Sequence, residues 1–141
     1  MTIFERVKRL GLEPGKYAVF GSGLLDAWGL RKANDLDIVV TTPYFKELRK
    51  DPKWIDNPGN GFEKISYLDA NVTTNQDTPT DGDYLPSRDE MIRKAVVING
   101  VPFVRVEEVI ACKKVMDRLK DQEDIRMINE YLKTHGPNPN T

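Results

Sequence analysis

The feature that most constrains the fold is a pair of short apolar segments separated by a glycine-rich turn. Tyr17–Phe20 has the composition of a short strand, and Gly21-Ser22-Gly23 ends it. Residues 36–41 form a second predicted strand, which is apolar enough to be buried on both faces. Because such a strand needs packing layers above and below it, the chain is predicted to be an α/β (α+β) protein.

Periodicity and capping signals predict helices on both sides of this pair of strands. Apolar residues at helical spacing predict helices over residues 2–10, 24–28, 42–50, 87–94, 107–119 and 121–133. Residues 73–86 are polar and are predicted to form a long loop. We expect one domain over residues 1–136, followed by a flexible tail over residues 137–141.

Two further strand signals lie in the second half of the chain. Alternation of apolar and polar residues predicts a third strand over residues 64–72. Asn99-Gly100 predicts a tight hairpin between strands over residues 96–98 and 101–104. Since Pro102 has no N–H to donate, the second strand of this hairpin is expected at an edge of the sheet.

Charge and cysteine content exclude several classes of partner. The formal net charge of -1 over 141 residues gives no global positive field that would attract nucleic acid. The single cysteine, Cys112, cannot form an internal disulfide, which is typical of a reducing compartment. Residues 1–12 are too charged for a signal peptide, and no apolar run reaches the ~20 residues that span a bilayer. A cytoplasmic protein without a membrane partner is therefore expected.

Two aspartates at the start of the second strand are candidate metal ligands. Asp35 and Asp37 are two residues apart, so on a strand their side chains share one face at a spacing of roughly 7 Å. Two such carboxylates beside an apolar segment repel each other, and a divalent cation relieves that repulsion. Carboxylate oxygens at this spacing suit Mg²⁺ or Mn²⁺. The structural alternative is a solvated strand entrance with no ligand.

The glycine-rich turn is a candidate phosphate-binding loop. Gly21 and Gly23 allow backbone N–H groups to approach phosphate oxygens, and the helix that follows adds the positive end of its dipole. The Ser22 hydroxyl can donate to a β- or γ-phosphate oxygen. Taken alone, the turn would be interpreted as an ordinary tight turn, but a metal clamp nearby supplies the positioning and charge neutralisation that phosphoryl or nucleotidyl transfer requires.

The combination of Gly21-Ser22, a linker and Asp35-x-Asp37 on an apolar strand resembles the signature of the DNA polymerase beta-like nucleotidyltransferase superfamily. Residues 107–113 and 118–125 resemble the C-terminal helices of its minimal members, which include AbiEii-type toxins of toxin–antitoxin systems. The resemblance implies the nucleotidyltransferase fold: a short mixed sheet with helices packed mainly on one face and two C-terminal helices. It implies transfer of a nucleoside monophosphate from an NTP, with ATP favoured, to a hydroxyl of a protein, an RNA or a small molecule.

The same resemblance implies roles for residues outside the first motif. Lys113 and Arg118 would contact the triphosphate, although a solvated helix face is an alternative for Lys113. Arg31 and Lys32 are further candidates for phosphate contacts. The family's third carboxylate, a metal ligand and general base, would be Asp69.

The alternative for the third carboxylate is Asn71, which lies on the same strand face as Asp69. An amide at that position cannot accept the proton of an acceptor hydroxyl. The chain would then be a catalytically silent nucleotide-binding or regulatory module. A third hypothesis is a toxin–antitoxin component whose partner protein presents the acceptor.

Overall fold

A computed structural model describes residues 1–59, 61–75 and 87–136 of the chain. Most of the predicted loop over residues 73–86 lies outside the described residues, and so does the predicted tail over residues 137–141. The three aspartates of that loop, Asp77, Asp81 and Asp83, lie outside them as well.

The described helices begin and end close to the predicted positions. They are α1 (Ile3–Lys8), α2 (Gly23–Ala27), α3 (Thr42–Arg49), α4 (Arg88–Arg93), α5 (Val106–Met116) and α6 (Leu119–His135). The described strands are β1 (Tyr17–Phe20), β2 (Leu36–Val40), β3 (Ile55–Asp56), β4 (Ile65–Tyr67), β5 (Ala70–Thr73), β6 (Val96–Ile98) and β7 (Val101–Phe103). The two C-terminal helices and the hairpin at Asn99-Gly100 are confirmed, whereas β3 has no counterpart in the prediction.

The described strands form one seven-stranded mixed sheet in the order β3-β4-β5-β2-β1-β7-β6. The central pair, β1 and β2, is antiparallel, and each of these strands has a parallel neighbour on its other side, β7 and β5 respectively. This confirms the α/β (α+β) class. Ile38, Val39 and Val40 are all buried, as predicted for a strand covered on both faces. Nowhere in the described ranges is there a helix long and apolar enough to cross a membrane.

Helices cover both faces of the central strands. A Cβ at Gly23 would lie 2.4 Å from Val19 Cγ1, so α2 packs on the Val19 face at a distance that only glycine permits. The next residue, Phe20, points to the opposite face, where the Arg88 guanidinium of α4 lies 5.2 Å from its ring centroid. Helices were expected mainly on one face, and at least α4 lies on the face opposite α2.

The predicted third strand over residues 64–72 is a hairpin of β4 and β5. Tyr67 and Ala70 close a two-residue turn, and Leu68 has a φ of 55°. The apolar positions change phase at this turn, from Ile65 and Tyr67 to Ala70 and Val72, because a two-residue turn reverses the odd–even parity of the residues that share a face. Ile65 and Val72 therefore lie opposite each other, and both are buried. No glycine or asparagine marks this turn, which is why the pattern predicted one strand.

Replacing Leu68 with glycine should stabilise the protein. Leucine in the left-handed region costs about 1–2 kcal/mol, and the additional unfolded-state entropy of glycine offsets about 0.5–1 kcal/mol of the gain. The Leu68 side chain is 54% exposed, so little packing is lost. We expect a net gain of about 0.5–1 kcal/mol in urea unfolding. Leu68→Ala is the control, because it removes the side chain but keeps the strain; equal stability of both variants would refute the argument.

Pro102 does not place β7 at an edge of the sheet. β7 lies between β1 and β6, and β6 is the edge strand. The contact between β1 and β7 is short, with the register pair Val19 and Phe103, and the Val104 N–H donates to the Val19 carbonyl at 2.9 Å. The proline is tolerated because this pairing requires no N–H from position 102.

Candidate functional site

A cavity of about 520 Å³ lies where the ends of the central strands face the α5–α6 pair. Gly21, Ser22 and Asp37 line it, together with Asn71 and Thr73 of β5. Five cationic residues also line it: Lys64, Arg88, Lys113, Arg118 and Lys120. Its volume is within the range of roughly 300–1,000 Å³ that is typical of small-ligand sites. The glycine-rich turn and one of the two predicted metal ligands therefore share a cavity rich in positive charge.

Asp37 and Gly21 lie side by side in the lining of this cavity. Gly21 has a φ of 70°, and a Cβ added there would lie 3.6 Å from Asp37 Oδ2. The backbone thus adopts a left-handed conformation beside a carboxylate, which favours glycine at this position. The Asp37 side chain is accessible through the cavity, while protein atoms on its other sides displace bulk water. This burial and the charge of Asp35 raise the pKa of Asp37.

Asp35 lies next to the cavity and does not line it. It is exposed, and its charge acts on Asp37. Burial first, and then the charge of Asp35, disfavour the ionised form of Asp37, and a bound divalent cation would relieve both effects. Over the described residues, no group of three or more His, Cys, Asp or Glu side chains could hold a metal ion. Two carboxylates fit Mg²⁺ when phosphate oxygens and water complete its coordination.

The sheet register places Asn71, and not Asp69, beside Asp37. β2 and β5 are parallel, with Asp37 opposite Asn71. Asn71 lines the cavity, whereas Asp69 does not. The Ser66 hydroxyl donates to Asn71 Oδ1 at 2.7 Å, and Ser66 accepts in turn from the Asn57 side chain. This chain of hydrogen bonds commits the Asn71 amide oxygen and leaves its N–H groups as the available polar atoms.

Asp69 is held away from the cavity by two arginines of the α1 region. Arg6 Nε donates to Asp69 Oδ2 at 2.6 Å, and Arg9 Nη2 donates to Asp69 Oδ1 at 2.9 Å. Burial opposes ionisation of Asp69, but these hydrogen bonds outweigh it and lower its pKa. The expectation that Asp69 is the third carboxylate at the metal site is therefore corrected: as a turn residue after Leu68, it pairs with α1 instead.

Ser22 lines the cavity and accepts hydrogen bonds from two cations. Arg31 Nη2 lies 2.7 Å from Ser22 Oγ, and Lys113 Nζ lies 3.4 Å from it. The side chain consequently makes no capping hydrogen bond to α2. Gly23 does not line the cavity, and its requirement for glycine comes from packing against Val19. Of the predicted phosphate loop, the structure thus brings Gly21 and Ser22 to the site.

A buried ion-pair cluster joins α5, α6 and the loop after α2. Asp124 accepts from Arg31 Nε and from Lys113 Nζ, each at 2.8 Å, and Asp121 accepts from Arg118 Nε at 2.6 Å. Asp121 and Asp124 are 1% and 2% exposed. Burial opposes their ionisation, but hydrogen bonds from the cations outweigh it and lower the pKa of both carboxyls. We define these five residues as the α5–α6 ion cluster.

The α5–α6 ion cluster changes the interpretation of the predicted phosphate-binding cations. Lys113 and Arg118 do line the cavity, but both charges are compensated by buried aspartates. Lys113 is 6% exposed, so the alternative of a solvated helix face is wrong. Arg31 is bound to Asp124 and Ser22, and neither it nor Lys32 lines the cavity.

Two cations that the sequence did not assign to the phosphates are better placed for them: Lys64 was not predicted at the site, and Lys120 was expected, with Asp121 and Asp124, to hold the last two helices together and border the site. Lys64 precedes β4 and Lys120 lies in the first turn of α6, and both line the cavity. Both lower the pKa of Asp37 through their charge, in opposition to burial and Asp35. Neither makes an ion pair with a carboxylate of the described residues. No local motif identifies them, because the sheet topology and the α5–α6 turn bring them together.

Comparison with protein-family models, with characterised proteins and with solved structures gave no match. The class that the structure establishes is a mixed α/β protein with a cationic cavity at the ends of its central strands. The function is therefore argued from the residues in and around this cavity.

Proposed function

We propose that this chain binds a nucleoside triphosphate with Mg²⁺ in the cavity, has the nucleotidyltransferase type of fold, and transfers nucleotides poorly. The observation that carries the proposal is the position of Asp37. It lies beside the glycine-rich turn in the lining of a cavity that five cationic residues also line. A polyanionic ligand accounts for the cations, and a divalent cation accounts for the carboxylate pair.

The metal would be held by Asp37 and Asp35. When bound, Mg²⁺ neutralises charge on the phosphates and polarises them. Burial and the charge of Asp35 raise the pKa of Asp37, and a bound cation would stabilise its ionised form. Because two carboxylates leave most of the coordination sphere to phosphate oxygens and water, we expect metal and nucleotide to bind together.

The triphosphate would be held by Lys64, Lys120 and the Gly21-Ser22 turn. Lys64 and Lys120 have no competing carboxylate in the described residues, so their ammonium groups are available to phosphate oxygens. The exposed edges of Phe20, Phe62 and Met116 also line the cavity and supply an apolar surface for a base. ATP remains the favoured nucleotide from the resemblance.

Transfer requires a group that takes the proton of the attacking hydroxyl while pyrophosphate leaves the α-phosphorus. The residue opposite Asp37 in the sheet is Asn71, whose amide cannot accept a proton. Asp69 is committed to Arg6 and Arg9. Because a positioned general base contributes roughly 10²–10⁴ in rate, this arrangement favours binding over turnover.

Isothermal titration calorimetry with ATP, CTP, GTP and UTP, each with Mg²⁺, tests the proposed binding. We expect Lys64→Gln/Lys120→Gln to weaken the best nucleotide by at least about tenfold, since hydrogen bonds to charged groups contribute about 1.5–3 kcal/mol. Lys114→Gln/Lys133→Gln is the matched control: it removes the same charge at two exposed lysines outside the cavity. If both double variants bound the nucleotide equally weakly, the affinity would depend only on the net charge of the protein. No nucleotide binding by the wild type would refute the proposal.

Replacing Asn71 with aspartate should increase nucleotide transfer. The side chains have the same shape, and the Ser66 hydroxyl can donate to a carboxylate oxygen as it does to the amide oxygen. The second oxygen would add a base and a metal ligand beside Asp37. In an assay where water is the acceptor, so that ATP gives AMP and pyrophosphate, we expect at least about a tenfold increase in the rate of pyrophosphate release with Mg²⁺.

Asp69 provides the control for this experiment. Asp69→Asn should leave nucleotide affinity and pyrophosphate release unchanged, because Asp69 lies outside the cavity and contacts Arg6 and Arg9. It should lower thermal stability, since Arg6 is buried and loses a partner. Loss of pyrophosphate release in Asp69→Asn together with no gain in Asn71→Asp would restore Asp69 to the mechanism.

A further inference from the structure

Arg31 occupies a position that connects the C-terminal helix to the glycine-rich turn. It lies in the loop between α2 and β2, and it binds Asp124 of α6 through Nε and Nη2, both at 2.8 Å. Nη2 also donates to Ser22 Oγ at 2.7 Å. A bidentate pair with a buried carboxylate holds the plane of the guanidinium, which in turn fixes the direction of the bond to Ser22.

The hydrogen of the Ser22 hydroxyl can be donated only to an acceptor in the cavity. A hydroxyl has two acceptor lone pairs and one donor hydrogen. Arg31 and Lys113 can only donate, so both of their hydrogen bonds use the lone pairs of Ser22 Oγ. No acceptor for the hydroxyl hydrogen is found among the described residues, and Ser22 lines the cavity. The hydroxyl is therefore available to the cavity only as a donor.

We infer that Arg31 is a positioning residue, which makes the Ser22 hydroxyl an obligate hydrogen-bond donor to a deprotonated phosphate oxygen of the ligand. This inference rests on the proposed binding of a triphosphate in the cavity. Arg31 acts without touching the ligand, because it does not line the cavity. Its charge is compensated by Asp124, whose acid group is ionised at neutral pH since its pKa is lowered. Arg31 thus orients Ser22 without adding net charge to the site.

A double-mutant cycle on Arg31 and Ser22 tests this inference. The probe is inorganic tripolyphosphate with Mg²⁺, titrated by calorimetry, with Mg²⁺-ATP titrated in parallel. The variants are Ser22→Ala, Arg31→Lys and the double variant. We expect each single variant to weaken tripolyphosphate binding about tenfold, and the double variant to bind no more than about twofold weaker than either. Lysine keeps the charge opposite Asp124 but cannot make the bidentate pair and reach Ser22 together.

Arg49→Lys is the matched control, because Arg49 also forms a side-chain ion pair, with Asp56, but on the surface away from the cavity. It should leave tripolyphosphate affinity unchanged. If Arg31→Lys is too unstable to titrate, the same cycle is run with a stabilising osmolyte such as sucrose in every titration. Thermal melts of each variant separate a loss of stability from a loss of affinity, since a merely structural role would lower the Tm without removing the effect of Ser22→Ala.

The outcomes distinguish this inference from the proposed function. The inference would be overturned if the fold losses in tripolyphosphate affinity of the two single variants multiplied in the double variant, or if Arg31→Lys bound tripolyphosphate as tightly as wild type. Either result would leave nucleotide binding in place. Binding of tripolyphosphate with the expected cycle, but of no nucleoside triphosphate, would support the inference and overturn the proposed function. No binding of either probe by the wild type would overturn both.

Discussion

Replacing Asp37 with asparagine should remove Mg²⁺-dependent nucleotide binding and, at the same time, stabilise the protein without ligand. Asp37 is the carboxylate in the lining of the cavity, beside the Gly21 turn. Mutation of outer-shell partners of metal ligands costs roughly 10–100-fold in affinity, so loss of a direct ligand should cost more than about a hundredfold. Calorimetry with Mg²⁺-ATP measures the first effect, and thermal unfolding at pH 7 measures the second.

The gain in stability follows from the sign of the pKa shift. Burial and the charge of Asp35 raise the pKa of Asp37 above its ordinary value, so the folded state binds its proton more tightly than the unfolded state. Stability without ligand therefore falls as the pH rises from the ordinary pKa through the raised one, and it stays lower above both values. Asparagine removes this dependence, so the Tm difference between Asp37→Asn and wild type should be largest at neutral pH and shrink as the pH falls below the ordinary value.

Asp89→Asn is the control for Asp37→Asn, because Asp89 is exposed and lies outside the cavity. It should leave the nucleotide affinity unchanged. An Asp37→Asn variant that binds Mg²⁺-ATP like wild type would refute the assignment of the metal site. A variant with a lower Tm at pH 7 would show that Asp37 contributes a structural contact that outweighs its unfavourable charge.

Replacing Lys113 with methionine should lower the free energy of unfolding by about 3–5 kcal/mol, a large loss for a single substitution. Lys113 is buried between two buried carboxylates, with Nζ 2.8 Å from Asp124 and 3.8 Å from Asp121. Methionine fills a similar volume but leaves Asp124 with Arg31 alone. Because a buried carboxylate that loses a partner keeps its desolvation penalty, the α5–α6 pair should be the first part to open. Urea unfolding measures the loss.

Its neighbour Lys114 provides a matched control for this substitution. Lys114 is on the same helix but exposed, so Lys114→Met should change the stability by less than about 0.5 kcal/mol. Adding Asp124→Asn to Lys113→Met should recover part of the loss, since the two residues share one interaction. Equal effects at positions 113 and 114 would contradict the role of the α5–α6 ion cluster.

The α5–α6 ion cluster also predicts the acid sensitivity of the fold. The folded-state pKa values of Asp121 and Asp124 are lowered, so their contribution to stability is complete above the ordinary carboxyl pKa of 3.8. It is lost as the pH falls through the lowered values. Unfolding below about pH 4 should therefore be less steep in Lys113→Met than in wild type.

The elements that local patterns specify were predicted well. β1 and the hairpin at Asn99-Gly100 lie where their signals placed them, because turn chemistry and short-range alternation act within a few residues. The hairpin at Leu68 was missed, since its turn has a leucine with positive φ where the usual turn signal is glycine or asparagine. The choice between Asp69 and Asn71 had the same origin, because both lie on one predicted strand face. Only the parallel pairing with β2 distinguishes them.

Local sequence was enough to place Asp37 on an apolar strand, two residues after Asp35, and to predict a turn at Gly21, which has a positive φ. Both properties depend on neighbouring residues, through the two-residue period of a strand and the conformational freedom of glycine. The tertiary structure alone decided which charges remain available in the cavity. Lys113 is neutralised by Asp124, whereas Lys64 and Lys120 have no carboxylate partner within residues 1–59, 61–75 and 87–136. Such pairs depend on the sheet order and the α5–α6 turn, which bring together residues that are distant along the chain.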